Sequence, residues 1–212
     1  MSRPTALSVR GVSKRFGLNE VLRDVDLDLE VGEIGCLRAM SGAGKTTLLR
    51  IIAGLERPDT GTISGARPGD TAMLFQEDRL CEALTAVENV AFVHPDRRIS
   101  RSAIRRDLAE ILPDHGLDRP VRQLSGGMRR RVSLACAMHY PGHLLLLDEP
   151  FTGLDPGTKE VVARYLRERS RGRTVLAASH GEQDAELLGA RTLRLSAGDG
   201  WEPRGPEEAE KT

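Results

Sequence analysis

The chain has 212 residues, and its 31 Lys and Arg residues balance 31 Asp and Glu residues, so the formal net charge is zero. This balance leaves no global field that would attract nucleic acid or an anionic membrane surface. One Trp, two Tyr and four Phe are too few for a platform that stacks on single-stranded nucleic acid. The composition therefore predicts no nucleic-acid partner, and the length suffices for one substantial domain.

The three cysteines, Cys36, Cys81 and Cys136, are odd in number and far apart in the sequence. They form no Cys-x-x-Cys pair, so they indicate buried small side chains in a reducing compartment rather than a disulfide framework or a zinc site. The N-terminal segment lacks the apolar core of a signal peptide, and no apolar run approaches the ~18 residues that span a bilayer. We therefore expect a soluble intracellular protein.

Two alternating stretches near the N-terminus predict strands with one buried face. Residues 6–10 alternate apolar and polar side chains, and Val25, Leu27 and Leu29 alternate with acidic residues. Phe16 and Gly17 between them indicate a turn. A second turn at 31–33 leads into a short apolar run at 34–37, which we expect to be a buried strand.

The stretch that follows this run organises the whole chain, and it reads Ala39-Met40-Ser41-Gly42-Ala43-Gly44-Lys45-Thr46-Thr47. Strand, glycine-rich loop and helix is the context of a phosphate loop, because backbone N–H groups and the positive helix end point into one concavity. We expect Lys45 to reach the β- and γ-phosphates and the Thr46 hydroxyl to ligate Mg²⁺. Ala39 stands at the pattern's first glycine, so it must keep a negative φ. A plain strand-to-helix turn is the alternative for this stretch alone.

The middle of the chain is different in character. A short strand at 72–75 ends at Gln76, and the segment 85–140 is predicted to be helical. Ile104, Leu108, Ile111 and Leu112 recur at helical spacing and form one apolar stripe. A group of arginines crowds the same region, and it favours a solvated helix face over a basic patch for an anionic partner. These are Arg97, Arg98, Arg101, Arg105 and Arg106.

A second glycine-rich element, Leu124-Ser125-Gly126-Gly127-Met128, opens another predicted helix. Ser125 is a good N-cap, and the two glycines allow a ligand to approach the backbone closely. The phosphate loop already accounts for the phosphates of one nucleotide. The second helix terminus therefore binds either a nucleotide held by another copy of the chain or no ligand at all.

Four consecutive leucines at 144–147 predict a fully buried strand, which ends in Asp148 and Glu149. Open α/β sheets bind ligands at this end of their strands. We expect Asp148 to hold Mg²⁺ through water and Glu149 to polarise the water that attacks the γ-phosphate. A helix at 158–170, a strand at 174–178 and a helix at 182–188 complete an α/β alternation. From Ser196 onward the composition predicts a solvated tail.

These motifs occur in the order and spacing of the ATP-binding cassette (ABC) ATPases. They are the phosphate loop, Gln76, the signature loop at 124–128, the acids after 147, Gly153-Leu154-Asp155 and His180. The chain resembles this family from Leu7 to about Ser196. Its signature loop, which ends in Met, and its segments 75–80 and 84–90 are most similar to the nitrate/sulfonate/taurine group of importer ATPases.

The resemblance implies an α/β fold built on a P-loop NTPase core with a mixed or parallel sheet. An N-terminal antiparallel β subdomain and an α-helical subdomain, inserted at about 85–140, complete a single ABC ATPase domain at 1–196. After this domain, the composition predicts a polar, disordered tail at 197–212.

The resemblance also implies a sandwich of two subunits with ATP and Mg²⁺ at the interface. Each ATP lies between the residues 39–47 of one subunit and Ser125, Gly126 and Gly127 of the other. The remaining matches are single residues with separate roles. Phe16 stacks on adenine, Gln76 contacts Mg²⁺ and the attacking water and links the site to the membrane partner, Asp155 crosses the dimer interface, and His180 contacts the γ-phosphate.

Three positions depart from the family pattern. Arg38-Ala39-Met40 replaces the usual apolar-Gly-Pro, Cys136 stands where an Arg is usual, and Gly181 follows His180 where an acid is common. These departures bear on nucleotide affinity and turnover, but every residue type with a chemical role is present.

The function implied is the ATPase subunit of an importer. It would form a homodimer on the cytoplasmic face of the membrane, with permease subunits on separate chains and a substrate-binding protein as a further candidate partner. A non-transport cassette ATPase of DNA repair or translation is the alternative, and an unrelated phosphate-loop kinase or GTPase is a third reading. The absence of a long coiled coil or a second cassette in this sequence favours the importer. Specificity lies in the permease, so this chain predicts no particular transported substrate.

Overall fold

The computed structural model describes residues 4–39, 42–67, 69–96, 98–181 and 183–194. The strands are β1 (Thr5–Phe16), β2 (Asn19–Glu30), β3 (Ile34–Arg38), β4 (Thr60–Ser64), β5 (Thr71–Leu74), β6 (Leu144–Asp148), β7 (Thr174–Ser179) and β8 (Arg191–Arg194). The helices are α1 (Lys45–Ile52), α2 (Ala86–Val93), α3 (Arg101–Leu108), α4 (Asp114–Leu117), α5 (Gly126–His139), α6 (Pro156–Arg169) and α7 (Asp184–Leu188), with a 3₁₀ turn at Val121–Gln123. The predicted tail lies outside the described residues.

The N-terminal strands form a three-stranded antiparallel sheet in the order β2-β1-β4. Val9 in the central strand pairs with Leu27 in β2 and with Ile63 in β4. The predicted alternation is confirmed, because the apolar residues Leu7, Val9 and Val12 are fully buried. This sheet packs its apolar face toward α1.

The remaining strands form a parallel sheet in the order β5-β6-β7-β3-β8. Every residue of β6 is buried, as the run of leucines predicts. Leu145 and Leu147 join one apolar core, which includes α5 and α6, whereas Leu144 and Leu146 join a second core with α1 and the antiparallel sheet. Alternation is absent from the sequence of β6 because both faces of this strand are covered.

Helices α2 to α5 occupy the segment predicted to be helical. The prediction that one helix carries the whole apolar stripe is wrong. Ile104 and Leu108 lie on α3, but Ile111 and Leu112 follow the end of that helix and are nevertheless buried. The backbone N–H groups of Ile111 and Leu112 both donate to the Leu108 carbonyl, at 3.0 and 2.8 Å, in a tight turn. Pro113 follows and disfavours helical geometry at Leu112, so the chain turns here instead of continuing the helix.

The arginines of this region are consistent with a solvated helix face. The Arg101 side chain is 75% exposed, and Arg98 and Arg106 are also exposed. Arg97 lies outside the described residues. In the described part of the chain the longest helices have 14 residues, and none has the length and hydropathy that spanning a membrane requires.

The expectation that the cysteines are buried is correct for Cys36 and wrong for Cys81, which is exposed. Cys81 lies in the loop between β5 and α2, where the Asn89 side chain holds its backbone. The Cys81 N–H donates to Asn89 Oδ1 at 2.8 Å, and Asn89 Nδ2 donates to the Cys81 carbonyl at 3.1 Å. Asn89 thus takes the buried position at this point of the loop, and the thiol faces outward.

Candidate functional site

The phosphate loop joins the end of β3 to the start of α1. Gly42 and Gly44 have φ angles of 82° and 83°, in the left-handed region that favours glycine. A Cβ on Gly44 would also lie 2.7 Å from the Val21 carbonyl oxygen of β2. No side chain caps α1, so the first N–H groups of the helix point out of its N-terminus.

Ala39 keeps the negative φ that an alanine needs at this position. The described non-glycine residues with a positive φ are Asp24 and Glu149. Alanine is therefore tolerated at the first position of this loop. Met40 and Ser41 lie outside the described residues, and their part in the phosphate cradle stays a prediction.

The first turn of α1 carries the side chains predicted to meet phosphate and metal. Lys45 is buried, and its Nζ donates to the Ala39 carbonyl at 2.7 Å, so the ammonium group spans the loop. Ala43 is buried, and Thr46 and Thr47 are half-buried. The ammonium group and the Thr46 hydroxyl thus lie at the same helix end.

Thr46 and Asp148 form the candidate metal site. The Thr46 hydroxyl donates to Asp148 Oδ1 at 3.2 Å, and Asp148 is only 1% exposed. Burial raises the pKa of the Asp148 carboxyl, and the hydrogen bond from Thr46 partly opposes this shift. The other carboxyl oxygen, Oδ2, is buried with no hydrogen-bond partner in the described structure. The Thr46 hydroxyl and the buried carboxylate oxygen of Asp148 are the kind of oxygen ligands that Mg²⁺ prefers.

Glu149 turns its carboxylate toward His180 at the end of β7. Its φ of 51° is unusual for a residue with a side chain, and its N–H donates to the Ala178 carbonyl at 2.9 Å. His180 Nδ1 donates to Glu149 Oε2 at 2.7 Å. The Glu149 side chain is 13% exposed and that of His180 is 67% exposed, so the carboxylate is sheltered beside an open imidazole.

Strand register explains why these residues meet. In the parallel sheet Asp148 of β6 pairs with Ala178 of β7, and Ala178 pairs with Leu37 of β3. Asp148, Ala178 and Leu37 thus lie side by side across the three strands. The next residues along the strands are Glu149 after β6, the end of β7, and the end of β3, which leads into the phosphate loop. Adjacent strands lie about 4.8 Å apart, so residues distant in sequence share one edge of the sheet.

Gln76 follows β5 at the same edge, since Leu74 pairs with Leu147 of β6. Its side chain is exposed, and its backbone carbonyl accepts a hydrogen bond from Arg130 Nη1 at 3.2 Å. The structure therefore brings Gln76 to the edge that carries the acids. Its contact with Mg²⁺ and water stays a prediction.

The structure does not join the signature loop to the phosphate loop through any contact described within this chain. Ser125 is the N-cap of α5, as predicted, and its Oγ accepts from the Met128 N–H at 3.3 Å. Ser125 and Gly126 are exposed, and a Cβ on Gly126 would meet no atom within 4 Å. A Cβ on Gly127 would lie 3.1 Å from the Gly153 carbonyl oxygen. This helix terminus is open to an external ligand.

Asp155 and Phe16 also lie apart from the phosphate contacts. Asp155 is exposed and caps α6, and its carboxylate accepts from the Thr158 N–H at 3.0 Å and from the Thr158 hydroxyl at 2.6 Å. Hydrogen bonds from Thr158 lower the pKa of the Asp155 carboxyl. Phe16 ends β1 with 49% of its surface exposed, and Lys14 Nζ lies 5.1 Å from its ring centroid. Phe16 is thus exposed enough to stack on a base.

Two of the positions that depart from the family pattern, Cys136 and Gly181, lie among described residues. Cys136 is partly buried on α5, and burial raises the pKa of its thiol to about 12. A Cβ on Gly181 would lie 2.3 Å from the carboxylate of Asp184. Asp184 in turn accepts a hydrogen bond from the Ser179 hydroxyl, so its carboxylate occupies the space beside the His180 loop.

Sequence reasoning missed Arg130. This residue is buried on α5 and donates to backbone carbonyl groups after β5 and at the end of β6. The sequence signal is the run of three arginines at 129–131, whose side chains spread over about 200° of a helix that packs on a core.

Comparison with known proteins identifies the family. The family model described as "ABC transporter" matches residues 22–152. The chain belongs to this family. The match runs from β2 to the turn after Glu149, and so covers the phosphate loop, the signature loop and both acids.

The sequence is similar to curated import proteins. It is 40% identical over 209 residues to the sulfate/thiosulfate import ATP-binding protein CysA 2 of Rhizobium meliloti (strain 1021), with 90% of this chain and 57% of the relative covered. It is 40% identical over 203 residues to the aliphatic sulfonates import ATP-binding protein SsuB 3 of Paraburkholderia xenovorans (strain LB400), with 92% and 78% covered. The chain spans about three-fifths of the length of the sulfate/thiosulfate relatives. The predicted resemblance to importer ATPases of the sulfonate group is confirmed.

Among solved structures, the fold is similar to that of the ATP-binding cassette MJ0796. A dimeric structure of that protein in a post-hydrolysis state, bound to ADP and Pi, superposes with a TM-score of 0.77 at 26% identity. The similarity covers 91% of this chain and 95% of that one. The predicted fold class is confirmed.

Proposed function

We propose that this chain binds ATP with Mg²⁺ and hydrolyses it to power an importer. The observation that carries the proposal is the convergence of Lys45, Thr46, Asp148, Glu149 and His180 at one edge of the parallel sheet. The phosphate-binding loop, the metal ligands and the general base lie together at this edge. Transfer of a phosphoryl group to water requires all three. The import relatives support this function over a role in DNA repair or translation.

Each residue of the site has a role that follows from its position. The loop N–H groups and Lys45 bind the β- and γ-phosphates, while Thr46 and Asp148 hold Mg²⁺. Bound Mg²⁺ neutralises charge that develops on the phosphate oxygens. Glu149 accepts a proton from water as the water oxygen attacks the γ-phosphorus and the bond to the β-phosphate oxygen breaks, giving ADP and phosphate. Gln76 orients that water at the end of β5.

His180 has two tasks in this proposal. It contacts the γ-phosphate, and its Nδ1 orients the Glu149 carboxylate through the 2.7 Å contact. The imidazole suits both because one ring nitrogen can face the carboxylate while the other faces the phosphate.

The complete site requires a second copy of the chain. The exposed residues Ser125 and Gly126 and the half-buried Gly127 form a helix start that lies outside the contacts of their own phosphate loop. In a head-to-tail dimer this terminus binds the γ-phosphate held by the partner copy, with Asp155 crossing the interface and Phe16 stacking on adenine. The dimeric MJ0796 cassette, which is bound to ADP and Pi, supports this arrangement.

A permease on separate chains is the proposed membrane partner. A cavity of about 290 Å³ lies between the sheet and the helices, and Leu55, Met73, Phe75, Val93 and Tyr140 are among its lining residues. Phe75 is adjacent to Gln76, so a permease segment in this cavity would adjoin the hydrolysis site. The proposed location is therefore cytoplasmic, on the inner face of the membrane, and a substrate-binding protein would complete an importer.

Two measurements test these proposals. Purified protein should hydrolyse ATP in the presence of Mg²⁺, and a copurifying membrane protein should stimulate that activity. Leu55→Glu places a charge in the cavity at a residue that is 52% exposed, so the fold should tolerate it. It should abolish copurification and leave ATP binding unchanged, whereas Val31→Glu, at a 45% exposed turn residue away from the cavity, should retain the partner. Copurification that survives Leu55→Glu would rule out this docking surface.

A further inference from the structure

Arg130 connects helix α5 to two other segments of the chain. Its Nη1 donates to the carbonyls of Phe75 and Gln76, at 2.6 and 3.2 Å. Its Nη2 donates to the Glu149 carbonyl at 2.8 Å and to the Asp148 carbonyl. One planar guanidinium thus bridges the segment after β5 and the end of β6.

This arrangement differs from an ordinary ion pair. The Arg130 side chain is 4% exposed, and its carboxylate partner, Asp78, lies 3.4 Å away. Burial lowers the pKa of Arg130 despite attraction from Asp78, Asp148 and Glu149. A cation buried at this cost and directed at four main-chain carbonyls fixes backbone geometry, because its charge-assisted hydrogen bonds fan out from a rigid fork.

The backbone that it holds is strained. Glu149 has a φ of 51°, and such a conformation persists only when its surroundings constrain it. Its N–H donates to the Ala178 carbonyl at 2.9 Å, and its carbonyl accepts from Arg130. The residue is therefore fixed from both sides, by β7 and by α5.

We propose that Arg130 is a positioning residue that fixes Gln76 and Glu149 relative to α5. Because Ser125 caps the N-terminus of α5, the terminus that binds the partner's nucleotide and the chain's own water-activating residues then move as one unit. This inference rests on the proposed ATPase function. The described hydrogen bonds of Arg130 go to backbone carbonyls and to Asp78, so its removal should change turnover more than nucleotide binding.

Arg130→Met tests this proposal, with Arg173→Met as the matched control. Arg173 is another largely buried guanidinium, and its Nη1 donates to the Met138 carbonyl at 3.0 Å, at the opposite end of β7 from His180. We expect Arg130→Met to lower kcat about 100-fold, since small displacements of catalytic groups have effects of this size. KM for ATP should stay within about 2-fold of the wild-type value. Arg130→Lys keeps the charge but not the planar guanidinium, and its kcat should lie between those of Arg130→Met and the wild type. Arg173→Met should keep the wild-type kcat.

Amide hydrogen exchange gives a second readout that does not depend on hydrolysis. In Arg130→Met the amides of 75–78 and 148–152 should both exchange faster than in wild type, and in Arg173→Met they should not. If Arg130→Met fails to fold, Arg130→Lys takes its place in both measurements. Wild-type kcat or unchanged exchange in a folded Arg130 variant overturns the positioning role and leaves the ATPase proposal standing. A wild-type protein without Mg²⁺-dependent hydrolysis overturns the ATPase proposal, and exchange then decides whether Arg130 holds the two segments.

Discussion

His180 Nδ1 lies 2.7 Å from Glu149 Oε2, and this contact joins the end of β7 to the end of β6. The two residues are 31 positions apart in sequence, and each follows a strand that is completely buried. The rigid sheet therefore sets the distance between them. Their contact sets the direction of the carboxylate that we propose as the base.

Glu149→Gln should bind Mg²⁺ and ATP as wild type does and lose at least about 100-fold in kcat, because the amide keeps the shape but cannot accept the proton. Nucleotide titration and steady-state hydrolysis measure the two effects. Turnover within a few-fold of wild type would remove Glu149 from the role of base.

The contact between His180 and Glu149 predicts coupling between their substitutions. His180→Ala alone should lower kcat by about 10- to 100-fold, because Glu149 loses its orienting partner. In the Glu149→Gln background the same change should cost less, since only the contact of His180 with the γ-phosphate is then lost and the effects of residues in contact are not additive. Single-turnover hydrolysis of the four proteins of this double-mutant cycle tests the coupling. Fully additive losses would show that His180 acts without Glu149.

Lys45→Ala should weaken ATP binding itself, because it removes the charge that faces the β- and γ-phosphates. A loss of about 2 kcal/mol, which corresponds to about 30-fold in Kd, is expected for one charge-assisted contact. Arg50→Ala is the control, since Arg50 is exposed in the last turn of the same helix. Equal affinity of both variants in a fluorescence titration would exclude Lys45 from the cradle.

Asp148→Asn should raise the stability of the protein without nucleotide and abolish Mg²⁺-dependent hydrolysis. Burial raises the pKa of the Asp148 carboxyl above its ordinary value of 3.8, so ionisation of this group opposes folding. The penalty is absent below pH 3.8, where the folded and unfolded chains are both protonated at this residue, and complete above the folded pKa.

The stability advantage of Asp148→Asn over wild type should therefore be largest near neutral pH and disappear as the pH falls toward that value. Urea unfolding of both proteins between about pH 4 and 8 measures it. A variant that is less stable than wild type at pH 7 would show that the charged form stabilises the fold.

Ser125→Arg tests the shared site. In the Glu149→Gln background, which should trap an ATP-bound dimer, Ser125→Arg should prevent dimerisation and spare binding of ATP to the monomer. The bulky side chain would fill the space in which the partner's γ-phosphate approaches the helix start. Ser100→Arg is the matched control, because Ser100 is an exposed N-cap of α3 that makes no side-chain capping bond. Sedimentation with ATP should detect a dimer in the control only. A dimer in both proteins would refute the sandwich.

Most of the candidate site could be predicted from the sequence, because its parts are local. A phosphate loop needs glycines at fixed spacing before a helix, and the φ angles of Gly42 and Gly44 follow from that pattern. Ser125 caps its helix through an atom three residues away, and Asp148 and Glu149 follow the strand that ends before them. Contacts of this kind depend on neighbours in the chain, so the residue order determines them.

Only the tertiary structure decided which of these parts meet. The register of β6 on β7 brings Glu149 to His180, and the packing of α5 on the sheet places Arg130 between Gln76 and Glu149. Ile111 and Leu112 are buried although α3 ends before them. Tertiary packing buries them, not the periodicity of a helix. Pairings between distant segments depend on strand order, register and core packing, which are properties of the whole fold and leave no fixed spacing in the sequence.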